Sequence, residues 1–168
     1  MKLKRPISLG WRAAYVVCAV LCVSADQLTK RIIEQKLPLY SRVRLFGPVS
    51  LTHLRNSGAA FGLFQGSSLL LAVIGFSVLG AAVAIWGIGF GSTKMRWGLV
   101  FLASGSVGNL IDRLVRGAVV DFVDLGFWPV FNLADVLIVT GVLLALCAAL
   151  FDKDVLDQPA GLYDNKAE

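Results

Sequence analysis

The segment VVDFVDLGFWPVFNLAD carries three aspartates, Asp121, Asp124 and Asp135. Asp121 and Asp135 are separated by a turn and by the aromatic residues Phe127, Trp128 and Phe131. A strand-like loop followed by a helix start could fold these two carboxylates against each other. Two carboxylates in contact do not both ionise readily, so one keeps a proton near neutral pH. That mixed state supplies a general base and a general acid at one site. A purely structural reading competes with this one. Asn132 is a good helix N-cap, and Asp135 stands at its N3 position, where an acid suits the helix dipole. Asp124 is expected to be solvated.

Other polar motifs stand out against apolar surroundings. In GNLIDR, Asn109 and Arg113 lie one helical turn apart, with Asp112 beside Arg113. They read either as an intramembrane ion pair or as a scaffold that orients a site. In NSGAAFGLF, Asn56 and Gly58 open a small-residue stretch. It reads as a tight turn or as a backbone lip over a cleft. Asp26 and Lys30 in DQLTK are spaced i, i+4 and can pair on one helical face. Ser104-x-x-x-Gly108 permits close helix packing. The single His53 has no partner at metal-ligand spacing, so no metal site and no cofactor are expected. Cys18, Cys22 and Cys147 lie in apolar runs and read as packing residues, and a disulfide across one turn between the first two would strain a helix.

The elements that must position these groups are membrane spans. The chain has 168 residues, 57% hydrophobic and only 16% charged, against about 25% charged in soluble domains. No charged residue occurs between Arg55 and Lys94, a run longer than the roughly 20 residues a span needs. Four helical spans are expected, over about 11–33, 67–90, 97–115 and 133–151, within one membrane domain covering 1–151. A β-like segment over about 38–62 is expected to form a small extracytoplasmic platform. YSRVRLFGPVSLTHLRN reads as two strands around Gly47-Pro48, and GAVVDFVDLGFWPVF as strand-like. Residues 152–168 read as a polar, disordered cytoplasmic tail. The net charge is +5, the tail holds five acids and two bases, and the remainder therefore carries +8. In a membrane protein such a surplus points to anionic phospholipid headgroups rather than to nucleic acid.

Four spans put both termini on one side and collect the polar motifs at the other. Helical rise from Arg12, Arg96 and Asp152 places Asp26, Asp112 and Asp135 roughly 21–25 Å up, inside the far boundary of a hydrocarbon core about 30 Å thick. Acids at that depth face a bundle interior and mark functional sites. Basic residues do not decide the orientation, because the two sides tie; only the basic N-terminus (Lys2, Lys4, Arg5) favours a cytoplasmic near side. That basic start, with an apolar run ending in Val23-Ser24-Ala25, also imitates a cleavable signal peptide. Cleavage there would remove the first span and break the parity, so the mature chain is expected to keep its N-terminus.

Taken together, DQLTK, NSGAAFGLF, GNLIDR, VVDF (Val119 to Phe122) and FNLAD (Phe131 to Asp135) resemble signal peptidase II, the bacterial lipoprotein signal peptidase family. The motifs follow the family's order, and one departure is ASGSVGN, where a glycine–glycine–alanine run is common. The resemblance implies an α-helical integral membrane protein with four transmembrane helices and a small β-rich platform. It implies an aspartic endopeptidase of the bacterial inner membrane, with its site toward the periplasmic face and sensitivity to globomycin. Asp121 and Asp135 would be the catalytic pair. Asn56, Asn109, Arg113 and Asn132 would line or support the site, with Gly58, Lys30 and Asp112 in the matching motifs, and Asp26 would help hold it together. The substrate would be a prolipoprotein whose cysteine carries a diacylglyceryl group. Two other readings are a small proton- or cation-coupled transporter, which the clustering of acids at one face disfavours, and a membrane assembly factor.

Overall fold

The computed structural model describes residues 9–58, 66–87 and 91–152. Residues 59–65, which hold all of the GAAFGLF lip but Gly58, and the tail beyond Asp152 lie outside the described residues. Four helices are long and apolar enough to cross a membrane: α1 (Leu9–Lys36), α2 (Ser68–Gly87), α3 (Thr93–Arg116) and α4 (Leu133–Phe151). Strands β1 (Arg42–Phe46) and β2 (Val49–Asn56) follow α1, and β3 (Val119–Asp124) follows α3.

α3 is the axis of the bundle. It packs against α1, α2 and α4, whereas the backbone of α2 comes close to no described helix but α3, although Trp86 sets its ring edge-on to Tyr15 of α1. More than half of its most apolar stretch is buried, against 11–17% for the other spans. Its sequence explains why. Small residues remove the bulk that would hold a partner away: a Cβ on Gly98 would meet the Gly141 carbonyl oxygen at 2.8 Å, and one on Gly141 would meet the Leu102 nitrogen at 2.5 Å. α3 and α4 therefore touch backbone to backbone. Ser92 caps the start of α3, and Gly117, at φ 74°, ends it by donating its N–H to the Arg113 carbonyl 3.2 Å away. That left-handed residue suits glycine and turns the chain directly into β3.

The sheet is antiparallel in the order β1-β2-β3, with Val43 opposite Leu51 and Arg55 opposite Val120. Gly47 and Pro48 form the β1–β2 turn, as their turn chemistry suggests. Irregular pairing between Leu51 and Leu54 shifts the register of β2 before Leu54 meets Asp121. Val120, Phe122 and Ile33 form a buried apolar cluster with Leu37, Leu51 and Leu133, so the sheet is seated on the C-terminal end of α1 and the N-terminal end of α4. The stretch after β3 is not a strand. Phe131 bridges back to Val123, while Phe127 and Trp128 are 79% and 55% exposed. Cys18 and Cys22 form no disulfide; their thiols share a hydrogen bond with the sulfurs 4.0 Å apart.

Candidate active site

Four elements converge where α1 and α3 end and α4 begins. β3 supplies Asp121, α4 supplies Asp135 with its cap Asn132, α3 supplies Asn109, and β2 ends on Asn56. Asn132 ties the two carboxylates together. Its Nδ2 donates to Asp121 Oδ1 at 2.7 Å, its Oδ1 accepts from the Asp135 N–H at 3.0 Å, and its own N–H donates to Asp135 Oδ2 at 3.1 Å. The cap and N3 relationship legible in the sequence is thus a full capping box. It does not compete with a role at the site, because Asp135 Oδ1 remains for Asn109, whose Nδ2 donates to it at 2.8 Å. Asn56 Nδ2 donates to Asp121 Oδ2 at 2.9 Å, and Asn56 Oδ1 accepts from the Gly58 N–H at 2.9 Å. Three amides therefore point N–H groups at two carboxylates.

Asp121 is 2% exposed. Burial, reinforced by the nearby Asp135, pushes its carboxyl up to about 7, against the opposing pull of the Asn56 and Asn132 hydrogen bonds and of Lys30. Both aspartates line one cavity of about 410 Å³ between α2 and α4, roofed by Trp128 to Phe131. Leu71, Ile74, Ile138 and Val139 make much of its wall apolar. Arg113 reaches this cavity too. Its guanidinium has only long 3.4 Å contacts to the Asn109 and Gly58 carbonyls, and its buried Nε has no partner among the described residues.

Beneath the dyad lies a buried ionic layer. Lys30 is fully buried and its ammonium contacts three oxygens: Asp26 Oδ2 at 2.8 Å, Asp112 Oδ2 at 2.8 Å and Asn109 Oδ1 at 3.1 Å. An ammonium has three donors, so Lys30 is saturated. Asp26 also accepts the Ala134 N–H at 2.9 Å, and Asp112 accepts the Val120 N–H at 3.2 Å. This layer thereby fixes the start of α4 and the start of β3 together. Removing one partner from such a buried pair costs about 3–5 kcal/mol.

Two expectations need correction. Asp112 does not pair with its neighbour Arg113; it binds Lys30 and Arg116 Nη1, the latter at 2.6 Å. Adjacent helical residues diverge, whereas i, i+4 residues share a face. Asp124 is not simply solvated. It pairs with Arg42 Nε at 3.1 Å and is 15% exposed, remote from the dyad on the sheet. Sequence reasoning also missed Arg116, Gln27 and Glu34. Arg116 donates to Asp112, Gln27 and Glu34, and Gln27 Nε2 reaches Asp26, Asp112 and the Gly108 carbonyl. The i, i+4 spacing of Asp112 and Arg116 was a usable signal; nothing in the sequence marks Gln27's cross-helix contacts.

The sequence profile of the family described as signal peptidase (SPase) II matches residues 18–151. A lipoprotein signal peptidase of Syntrophomonas wolfei is 41% identical over 79% of this chain and 90% of its own length. One from Streptococcus pneumoniae is 40% identical over 83% of this chain and 94% of its own length. A solved bacterial membrane enzyme, determined by the in meso method at 2.3 Å resolution, superposes with a TM-score of 0.75 at 29% identity, covering 88% of this chain and 93% of that one. With four membrane-length helices and motifs in order along nearly the whole matched region, the chain belongs to the signal peptidase II family and is a multi-pass bacterial membrane peptidase.

Proposed function

We propose that this chain is an aspartic endopeptidase that removes signal peptides from prolipoproteins carrying a diacylglyceryl group on the cysteine, cutting just before that cysteine. Asp121 and Asp135 are its catalytic pair. The observation that carries this reading is the pair itself: two carboxylates tied through Asn132, both facing one cavity whose wall is apolar. One aspartate takes a proton from water, and the resulting hydroxide forms the new bond to the scissile carbonyl carbon. The other donates its proton to the carbonyl oxygen. Collapse breaks the C–N bond, and a proton passes to the leaving amine. Either aspartate can fill either role, so acid and base are shared between them. No metal or cofactor enters these steps.

Asn56, Asn109 and Asn132 hold the carboxylates, Gly58 and Arg113 border the cavity, and Asp26, Lys30 and Asp112 brace the frame. A cavity between two helices whose backbones stay apart suits a substrate arriving sideways from lipid, its signal peptide a membrane helix and its new N-terminus lipidated. The protein would sit in the inner membrane with both termini cytoplasmic and the dyad near the outer leaflet. The even number of spans and the basic N-terminus support this placement. Membrane phospholipids would be the surroundings, and sensitivity to globomycin is expected. The transporter reading is not favoured, since the acids form no ladder through the bilayer. The test is cleavage of lipidated prolipoprotein by Asp121→Asn and Asp135→Asn. Both are expected to insert and fold without cleaving; normal processing by either would refute the dyad. Unmodified precursor is expected to be a much poorer substrate.

A further inference from the structure

Lys30 is a fully buried cation that the proposed reaction does not use. We infer that Lys30 is a positioning residue for the dyad: its ammonium holds the Asn109 side chain in the one orientation that turns its N–H₂ toward Asp135. This rests on the reading of Asp121 and Asp135 as the catalytic pair.

An amide side chain has two orientations of nearly equal shape. As found, Asn109 Oδ1 accepts from Lys30 Nζ at 3.1 Å and from Asn132 Nδ2 at 3.3 Å, and Nδ2 donates to Asp135 Oδ1 at 2.8 Å. Flipped, the amide would set oxygen against a carboxylate oxygen and N–H₂ against an ammonium. Without Lys30 the oxygen end of the amide keeps only the longer Asn132 contact, and the amide is held mainly by Asp135, the group it has to position. Asn132 shares its Nδ2 between Asn109 and Asp121, so Lys30 reaches Asp135 through one amide, Asn109, and Asp121 through two, Asn109 and Asn132.

The surrounding charges argue against a counter-ion role alone. Asp112 already has Arg116, which in turn meets Glu34, and Glu34 meets Arg55. Asp26 has the Ala134 N–H and Gln27 as well as Lys30. Neutralising two acids needs two of the ammonium donors. The third is aimed at a neutral amide that touches the dyad. Arg113, Asp121 and Asp135 line the same cavity as Asn109, and the Lys30 charge also acts on Asp121.

The test separates position from charge. Lys30→Met is combined with Asp26→Asn, which removes one charge of each sign, and is compared with Asp26→Asn alone. The pair is expected to melt close to the single variant, lose about 10- to 100-fold in kcat with little change in KM, as slight misplacement of catalytic groups does, and shift its pH profile upward. In an Asn109→Ala background the Lys30 change is expected to cost nothing further. Lys30→Gln with Asp26→Asn, which keeps a neutral N–H for Asn109, is expected to recover about 10-fold or more of the loss. Unchanged kcat and pH profile in the Met pair, additive losses in the Asn109→Ala background, or a Gln variant as poor as Met would each overturn the inference. Cleavage by Asp121→Asn or Asp135→Asn would instead refute the dyad, whatever the Lys30 variants do.

Discussion

Replacing Asp121 by Asn is expected to abolish cleavage and to remove part of the stability loss that the parent suffers as pH rises. The carboxyl is held at about 7 in the folded chain and returns to about 3.9 when unfolded. Its folded value is the higher one, so the folded state binds more protons than the unfolded state between these limits. Stability then falls as pH rises through that window and levels off above it. The difference is close to one proton at pH 5 and falls to half a proton at pH 7, which amounts to about 2 kcal/mol over that interval at 1.36 kcal/mol per unit. Asn escapes this titration, but it sets an N–H₂ against one of the two amide donors, Asn56 or Asn132, at a cost of about 1–3 kcal/mol that pH does not change. At pH 5 the variant should be no more stable than the parent; at pH 8 it should have gained roughly 2 kcal/mol relative to it. Thermal unfolding in detergent, followed by a thiol-reactive dye on the free cysteines, reads the difference. A gap between the two proteins that stays constant from pH 5 to pH 8 would refute the account of a proton held by burial and by Asp135.

Asn56→Ala removes a hydrogen bond that lowers the proton affinity of Asp121, so the pH profile of kcat/KM should move upward; an unchanged or lowered profile would contradict the donor geometry. Gly108→Ala would place a Cβ 2.5 Å from Asp26 Oδ2, with an expected loss of about 1–3 kcal/mol and reduced cleavage, measurable as a lowered melting temperature. Arg116→Met leaves Asp112 short of a close cationic partner and should cost about 3 kcal/mol or more. Arg42→Ala, whose side chain is 53% exposed opposite Asp124, should stay within about 1 kcal/mol. Equal losses for Arg116→Met and Arg42→Ala would show that burial does not set the difference.

The apolar runs made the four helices legible because lipid demands length and leaves little choice of element. Gly47-Pro48 marked the hairpin and Asn132 the start of α4 for equally local reasons. What the sequence hid was distance. Asp121 and Asp135 come together only because Gly117 turns the chain straight from α3 into β3, and Asp112 then anchors Val120. Arg113 and Arg116 look alike in sequence, yet one borders the cavity and the other braces the ionic layer. That assignment depends on the rotation of α3 against α1, which periodicity cannot supply for helices apolar on most faces. Asp124 carries the same letter as Asp121, and only the sheet register sends it to Arg42.

The ionic layer has a consequence for biosynthesis. Asp26 and Lys30 pair within α1, and Asp112 and Arg116 pair within α3, each at i, i+4. Each of these two helices can thus leave the translocation machinery with its buried acid already matched by a base one turn away, and α1 can do so long before α3 is made. Only on docking does Lys30 extend to Asp112. The nascent chain can deliver a costly charged cluster into lipid as two neutral parcels, assembled in the order in which the ribosome releases them.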